Sequence, residues 1–242
     1  MAICHGFLRS GHQFREVLAV REITGLPVQQ RNKERANLYL DGAYAFSITV
    51  LEAARLKVGQ RLSDAEVAQL RERADADKAY ERALRFLTYR PRSEAEVTKY
   101  LASKGVEQEA QRDIMSRLRR LGLVDDEAFA RFWVESRERS RPSGWLALKS
   151  ELRLKGVSDA IIERILEEVD QEDSAYRAAQ KQARRYPNLG DREQQHKLGA
   201  FLMRRGFPYS VAKAAVKRLA DELAAEGKMK EESEEEECLV KE

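Results

Sequence analysis

Glu151-Leu152-Arg153-Leu154-Lys155-Gly156-Val157 is the stretch on which the fold turns. Its pattern recurs 51 residues earlier around Gly105 and 50 residues later around Gly206. Four residues before each glycine stands Leu101, Leu152 or Leu202, and eight before stands Val97, Leu148 or Leu198. The residue just before is Lys104, Lys155 or Arg205, and the one just after is Val106, Val157 or Phe207. Further on come Ile114, Met115 and Leu118, then Ile165, Leu166 and Val169, then Ala215, Val216 and Leu219, at matching offsets. Agreement at that many positions marks an internal tandem repeat.

The repeated motif has a structural meaning. Apolar residues at i and i+4 lay a stripe along one helix face. A glycine at C′ takes the left-handed conformation that closes a Schellman cap, and the Leu and Val or Phe positions are the pair whose contact seals it. Lys or Arg at the last position complements the negative helix end. The three basic residues are therefore read as cap positions first.

Each repeat holds three helices. The first has Ala79 to Thr88, Ser93 to Lys104 and Glu109 to Leu121, with a capping box at Ser93-x-x-Glu96 and a breaker at Pro91. The second has Glu127 to Arg139 behind a capping Asp125 or Asp126, then Trp145 to Lys155 after Pro142-Ser143-Gly144, then Ile161 to Val169. The third starts near Ser174, turns at Tyr186-Pro187-Asn188-Leu189-Gly190, and continues as Glu193 to Arg205 and Ser210 to Ala224. Three short helices bury little apolar area alone, so neighbours must share stabilisation, which predicts an elongated array.

Upstream lies a different module. Val17 to Ile23 favours a strand, and Leu38 to Phe46 around Asp41-Gly42 is a hairpin signature, because both turn residues tolerate positive φ. Val50 to Leu56 and Ser63 to Arg71 look helical, the latter behind a Ser63-x-x-Glu66 capping box. The expected boundaries are a leader 1–15, a β-hairpin and helix module 16–73, repeats 74–124, 125–170 and 171–225, and a disordered acidic tail 226–242. The fold class is mostly α.

Composition agrees. Of 242 residues 35% are charged and 7% aromatic, with few Gly and Pro, which favours helices with solvated faces over a turn-rich β fold. No window approaches a membrane span, and Met1 to Arg15 lacks a signal-peptide pattern, so a cytoplasmic protein without a membrane partner is expected. Cys4 and Cys238 stand in the two terminal segments and build no disulfide framework. Cys4, His5 and His12 lack a fourth ligand and any CxxC spacing, so no metal site is read there, and His196 reads as a helix-surface residue. The formal charge is +3, but the segment from Glu226 holds eight acidic residues and three lysines, which leaves about +8 on residues 1–225. A basic body suits a polyanionic partner.

Catalytic motifs are missing: there is no phosphate loop, no dinucleotide fingerprint, no H-E-x-x-H and no nucleophile elbow. Asp125-Asp126-Glu127 is an acidic cluster of the kind that holds Mg²⁺, but its place at a helix start favours capping. The chain is read as a non-enzyme without cofactors. Basic residues remain as candidates for binding a polyanion: Arg117 and Arg120 in the first repeat, Arg137, Arg141, Lys149 and Arg153 in the second, and Arg184, Arg185 and Arg204 in the third. Lys149 and Arg153 share a helix face, and the Pro142-Ser143-Gly144 turn is expected to bring Arg137 and Arg141 alongside.

Arg92-Ser93-Glu94-Ala95-Glu96-Val97, Gly122 to Ala130, Glu151 to Val157 and Leu202-Met203-Arg204-Arg205-Gly206-Phe207 resemble the RecX family of bacterial regulators of the RecA recombinase. The hairpin at Asp41-Gly42 and the helix ending in Arg90-Pro91-Arg92-Ser93 match its layout, over roughly residues 16–220. The resemblance implies helix-turn-helix-like repeats lying in the groove of the RecA–DNA filament. There they would inhibit ATP hydrolysis, strand exchange and co-protease activity, limiting recombination and the SOS response. The expected partners are the RecA filament and single-stranded or duplex DNA, bound by a monomer. The alternative is a tandem helix-turn-helix protein that binds DNA directly. A purely structural helical scaffold explains the repeats but not the basic body.

Overall fold

The computed structural model describes residues 20–185 and 192–239. The leader with Cys4, His5 and His12, and the turn at Tyr186 to Gly190, lie outside the described residues. Contacts divide the chain into two compact units, Met1–Glu81 and Arg82–Glu242.

The first unit is built on a four-stranded antiparallel sheet in the order β3-β2-β1-β4, from β1 (Val20–Gly25), β2 (Arg35–Leu40), β3 (Ala43–Thr49) and β4 (Arg61–Ser63). The β2–β3 hairpin turns at Asp41 and Gly42, whose φ values of 51° and 83° are both positive, as a type I′ turn requires. Ile23, Leu38, Phe46, Ile48 and Leu62 form the core with Leu70 and Ala74 from the helix that follows. The strand Arg61–Ser63 was not foreseen, because three residues ahead of a capping box carry no periodicity of their own. Val50 to Leu56 shortens to α1, Val50–Ala53.

Two helices expected at Ser63 to Arg71 and Ala79 to Thr88 are one, α2, Asp64–Leu87. The intervening Glu72 to Lys78 holds neither glycine nor proline, so nothing stops propagation. The capping box forms at its start: the Glu66 amide donates to Ser63 Oγ at 3.3 Å and the Ser63 amide donates to the Glu66 carboxylate at 2.7 Å. That backbone hydrogen bond, the first cause, lowers the Glu66 pKa.

The second unit contains the repeats. The first uses the end of α2 with α3 (Glu94–Ser103) and α4 (Gln108–Arg120). The second is α5 (Asp126–Ser140), α6 (Trp145–Leu154) and α7 (Asp159–Glu167), and the third α8 (Gln171–Ala183), α9 (Arg192–Arg204) and α10 (Tyr209–Leu239). All three caps form as the spacing predicts. The amides of Val106, Val157 and Phe207 donate to the carbonyls of Leu101, Leu152 and Leu202 at 3.2, 3.1 and 3.2 Å. Gly105, Gly156 and Gly206 stand at φ of 74°, 80° and 85°. A fourth cap, unforeseen, closes α4: Gly122 is at φ 63° and the Leu123 amide donates to Leu118 at 3.0 Å.

The disordered tail expected over 226–242 is corrected as far as Leu239, where α10 ends. Between Lys217 and Leu239 there is no proline or β-branched residue, and Glu, Lys, Ala and Met propagate an existing helix at little cost despite like charges.

Candidate nucleic-acid interface

The repeats meet through their second helices. Ser93 caps α3 by accepting from the Glu96 amide at 3.2 Å, and its hydroxyl donates to the Lys155 carbonyl at 2.6 Å. The end of α6 thus sits on the start of α3. One repeat on, the same joint recurs, with the Gly144 amide donating to the Arg205 carbonyl at 2.8 Å. A Cβ on Gly156 would lie 2.3 Å from the Ala95 Cβ, and one on Gly206 2.5 Å from the Ala147 amide nitrogen. These two glycines serve twice, once for positive φ and once for close approach.

The basic cap residues secure the joints. Lys155 Nζ donates to Glu96 Oε1 at 2.8 Å, and Arg90 grips the same carboxylate at 2.8 and 3.0 Å. Burial opposes ionisation of Glu96, but the hydrogen bonds and charges of Arg90 and Lys155 outweigh it and hold its pKa at about 2. Arg205 donates to the Pro142 carbonyl at 3.0 Å and lies over the Phe201 ring. Its own pKa is lowered by burial and then by the charge of Arg141.

The acidic cluster is absorbed structurally. Asp125 caps α5, accepting from the Glu127 and Ala128 amides. Asp126 accepts from the Glu94 amide at 2.8 Å, and burial raises its pKa. Glu127 pairs with Arg131 and Arg164.

The structure does not bring the four second-repeat candidates onto one face. Arg137 donates to Glu151 at 2.8 Å and lies 4.7 Å from the Trp133 ring centre, while Trp133 Nε1 donates to that carboxylate at 2.7 Å. Glu151 and Arg153 are two residues apart on α6, roughly 200° around the helix. Arg137 therefore meets α6 on the side away from Arg153. Lys149 is engaged by Glu163 at 2.8 Å, and Arg153 by both oxygens of Asp159 at 2.7 and 3.0 Å. Arg141 is exposed at the end of α5, near Arg205 rather than the α6 pair. The expected free cationic face at 137, 141, 149 and 153 is thus largely an ion-pair lattice within the repeat.

Elsewhere, Arg120 and Arg204 are exposed and take no partner from the described residues, whereas Arg117 has one. Arg184 and Arg185 are exposed at the end of α8. Sequence reasoning missed the Arg90–Glu96–Lys155 cluster. Its one signal was a Glu at the third position of a capping box, which here turns to the neighbouring repeat instead of back to its own cap.

Four family models match the chain in order. They are the regulatory protein RecX N-terminal domain over residues 21–63 and the first, second and third RecX three-helix domains over 79–118, 125–166 and 170–216. The chain belongs to the RecX family. Among its relatives, the regulatory protein RecX of Bacillus licheniformis is 33% identical over 80% of this chain and 76% of its own length. That of Listeria monocytogenes is 31% identical over 84% and 77%. A crystal structure of regulatory protein RecX superimposes with a TM-score of 0.64 at 30% identity, covering 81% of this chain and 98% of that one. RecX from Lactobacillus salivarius gives 0.54 at 28% identity over 60% and 96%. The three RecX three-helix domains each contain one of the glycine caps described above, at Gly105, Gly156 and Gly206. Among the described residues no helix is long and apolar enough to cross a membrane.

Proposed function

We propose that this RecX-family chain is a non-catalytic cytoplasmic regulator that binds the RecA–DNA filament as a monomer. There it restrains RecA ATP hydrolysis, strand exchange and co-protease activity, and so limits recombination and the SOS response. The observation that carries this reading is the ordered match of all four RecX domains, on a chain whose basic excess lies in residues 1–225. A filament offers a phosphate backbone and acidic protein surface to such a body. The acidic cluster and the buried carboxylates serve caps and joints, which fits a binding protein better than an enzyme.

The test is RecA ATPase on single-stranded DNA, titrated with this chain at matched salt. Falling turnover at substoichiometric chain supports the reading. Unchanged turnover, with naked DNA bound as tightly as filament, overturns it in favour of direct DNA binding.

A further inference from the structure

The third helices of the repeats present chemically different faces at matching positions. Seven residues after the repeat glycine stand Arg112, Glu163 and Lys213, and eleven after stand Ser116, Glu167 and Lys217. All six are exposed. On α4 the series continues one turn on with Arg120, so Arg112, Ser116 and Arg120 form a single stripe at i, i+4 and i+8. On α10, Lys213 and Lys217 form the same stripe beside Ser210. Among the described residues, no carboxylate pairs with Arg112, Arg120, Lys213 or Lys217.

The middle repeat inverts this pattern. α7 and its cap carry Asp159, Glu163, Glu167 and Glu168 against the single cation Arg164. Three of these carboxylates reach out to occupy the repeat's cations: Asp159 holds Arg153, Glu163 holds Lys149 and Glu168 holds Arg131. The cations of the middle repeat are consequently spent inside it, and the face its third helix shows to solvent is negative.

We propose, resting on the reading above, that this chain grips the nucleic-acid phosphate backbone through α4 and α10, and that α7 is held off the phosphates by its own carboxylates. The first and third repeats are the footholds and the middle repeat is an electrostatically repelled bridge. Unpaired exposed cations gain by displacing counterions from phosphate, whereas a cation already neutralised by a carboxylate releases none.

Binding of the full chain to fluorescein-labelled oligo(dT), read by anisotropy across a salt series, tests this, with RecA–oligo(dT) filaments as a second target. The variants are Arg112→Gln with Arg120→Gln, Lys213→Gln with Lys217→Gln, Lys149→Gln with Arg153→Gln, and Glu163→Gln with Glu167→Gln. Circular dichroism checks that each keeps its helical content. The α4 and α10 pairs should each weaken oligo(dT) binding about tenfold at low salt and lower the slope of log K against log salt by about 1, since a single-stranded phosphate contact contributes roughly 0.7. The Lys149/Arg153 pair should leave the slope unchanged, and the α7 pair should tighten binding. A slope lost at Lys149/Arg153, or unchanged at both α4 and α10, overturns the proposal. Filament binding by the wild type without any affinity for oligo(dT) overturns it too, while leaving the RecA reading intact. A chain that binds oligo(dT) by α4 and α10 but never inhibits RecA sustains this inference and sinks that reading.

Discussion

Ser93 and Lys155, 62 residues apart in the chain, share a 2.6 Å hydrogen bond that fastens the start of one repeat's second helix to the end of the next. Beside it, Gly156 leaves no room for a Cβ, whereas a Cβ on Gly105 would meet nothing within 4 Å. The two glycines share a conformation but not a neighbourhood. Gly105→Ala should cost about 1 kcal/mol, the strain of positive φ alone. Gly156→Ala adds overpacking at the joint and should cost about 2–4 kcal/mol. Urea denaturation of both variants checks this, and equal losses would refute the joint.

Acid should loosen the same joint. Glu96 has its pKa held at about 2 in the folded chain against an ordinary 4.5. A depressed carboxylate contributes its full stability above pH 4.5 and loses it as the pH falls towards 2, a contribution of order 2 kcal/mol. Glu96→Gln should therefore be less stable than wild type at pH 6, with the gap closing between pH 4.5 and 2. A gap that stays constant through that window would show that the ion pairs contribute nothing.

The sheet module depends on a buried cation. Arg35, with its side chain 6% exposed, donates to Glu81 at 2.8 Å and to the Ser47 carbonyl at 2.7 Å. Arg35→Met keeps much of the volume but leaves those acceptors unpaired, and should destabilise by about 2–4 kcal/mol. Hydrogen exchange across β2 and β3 should rise, while exchange in α5 to α7 should not.

Two arginines of the second repeat should behave differently. Arg153 meets Asp159 in the open, so Arg153→Gln should cost less than about 1 kcal/mol and less still at high salt. Arg137 covers Trp133 and shares Glu151 with it, so Arg137→Gln loses packing as well as charge and should cost about 1–2 kcal/mol. Both tryptophans, Trp133 and Trp145, belong to this repeat. Intrinsic fluorescence should shift for the Arg137 variant and not for the Arg153 variant.

The caps were legible because a Schellman motif is local: Leu152, Gly156 and Val157 declare it within six residues. The hairpin at Asp41-Gly42 was legible for the same reason. The joints were not, since a glycine already accounted for by its φ gives no sign that Ala95 approaches it from another repeat. The candidate site was the least legible part. Lys149 and Arg153 share a helix face as expected, but whether that face is free depends on Asp159 and Glu163, which only the folded turn brings across. The tail misled in the opposite direction: its glutamates repel one another, yet they stand among strong helix formers that extend α10.

One consequence concerns why the series stops at three. The starts of α3 and α6 are occupied by the caps at Gly156 and Gly206, and the cap at Gly105 receives nothing. A second molecule could add only by offering a free helix start to that open cap, and α9 is the remaining source. But where Ser93 and Gly144 stand just before their helices, twelve residues ahead of the glycine, α9 has Gln194 already inside it, because it begins at Arg192. The knob survives at one end and the socket is filled in at the other. Head-to-tail contacts of this kind grow into open fibres when both halves are present; here the extra turn of α9 acts as a terminator for polymerisation.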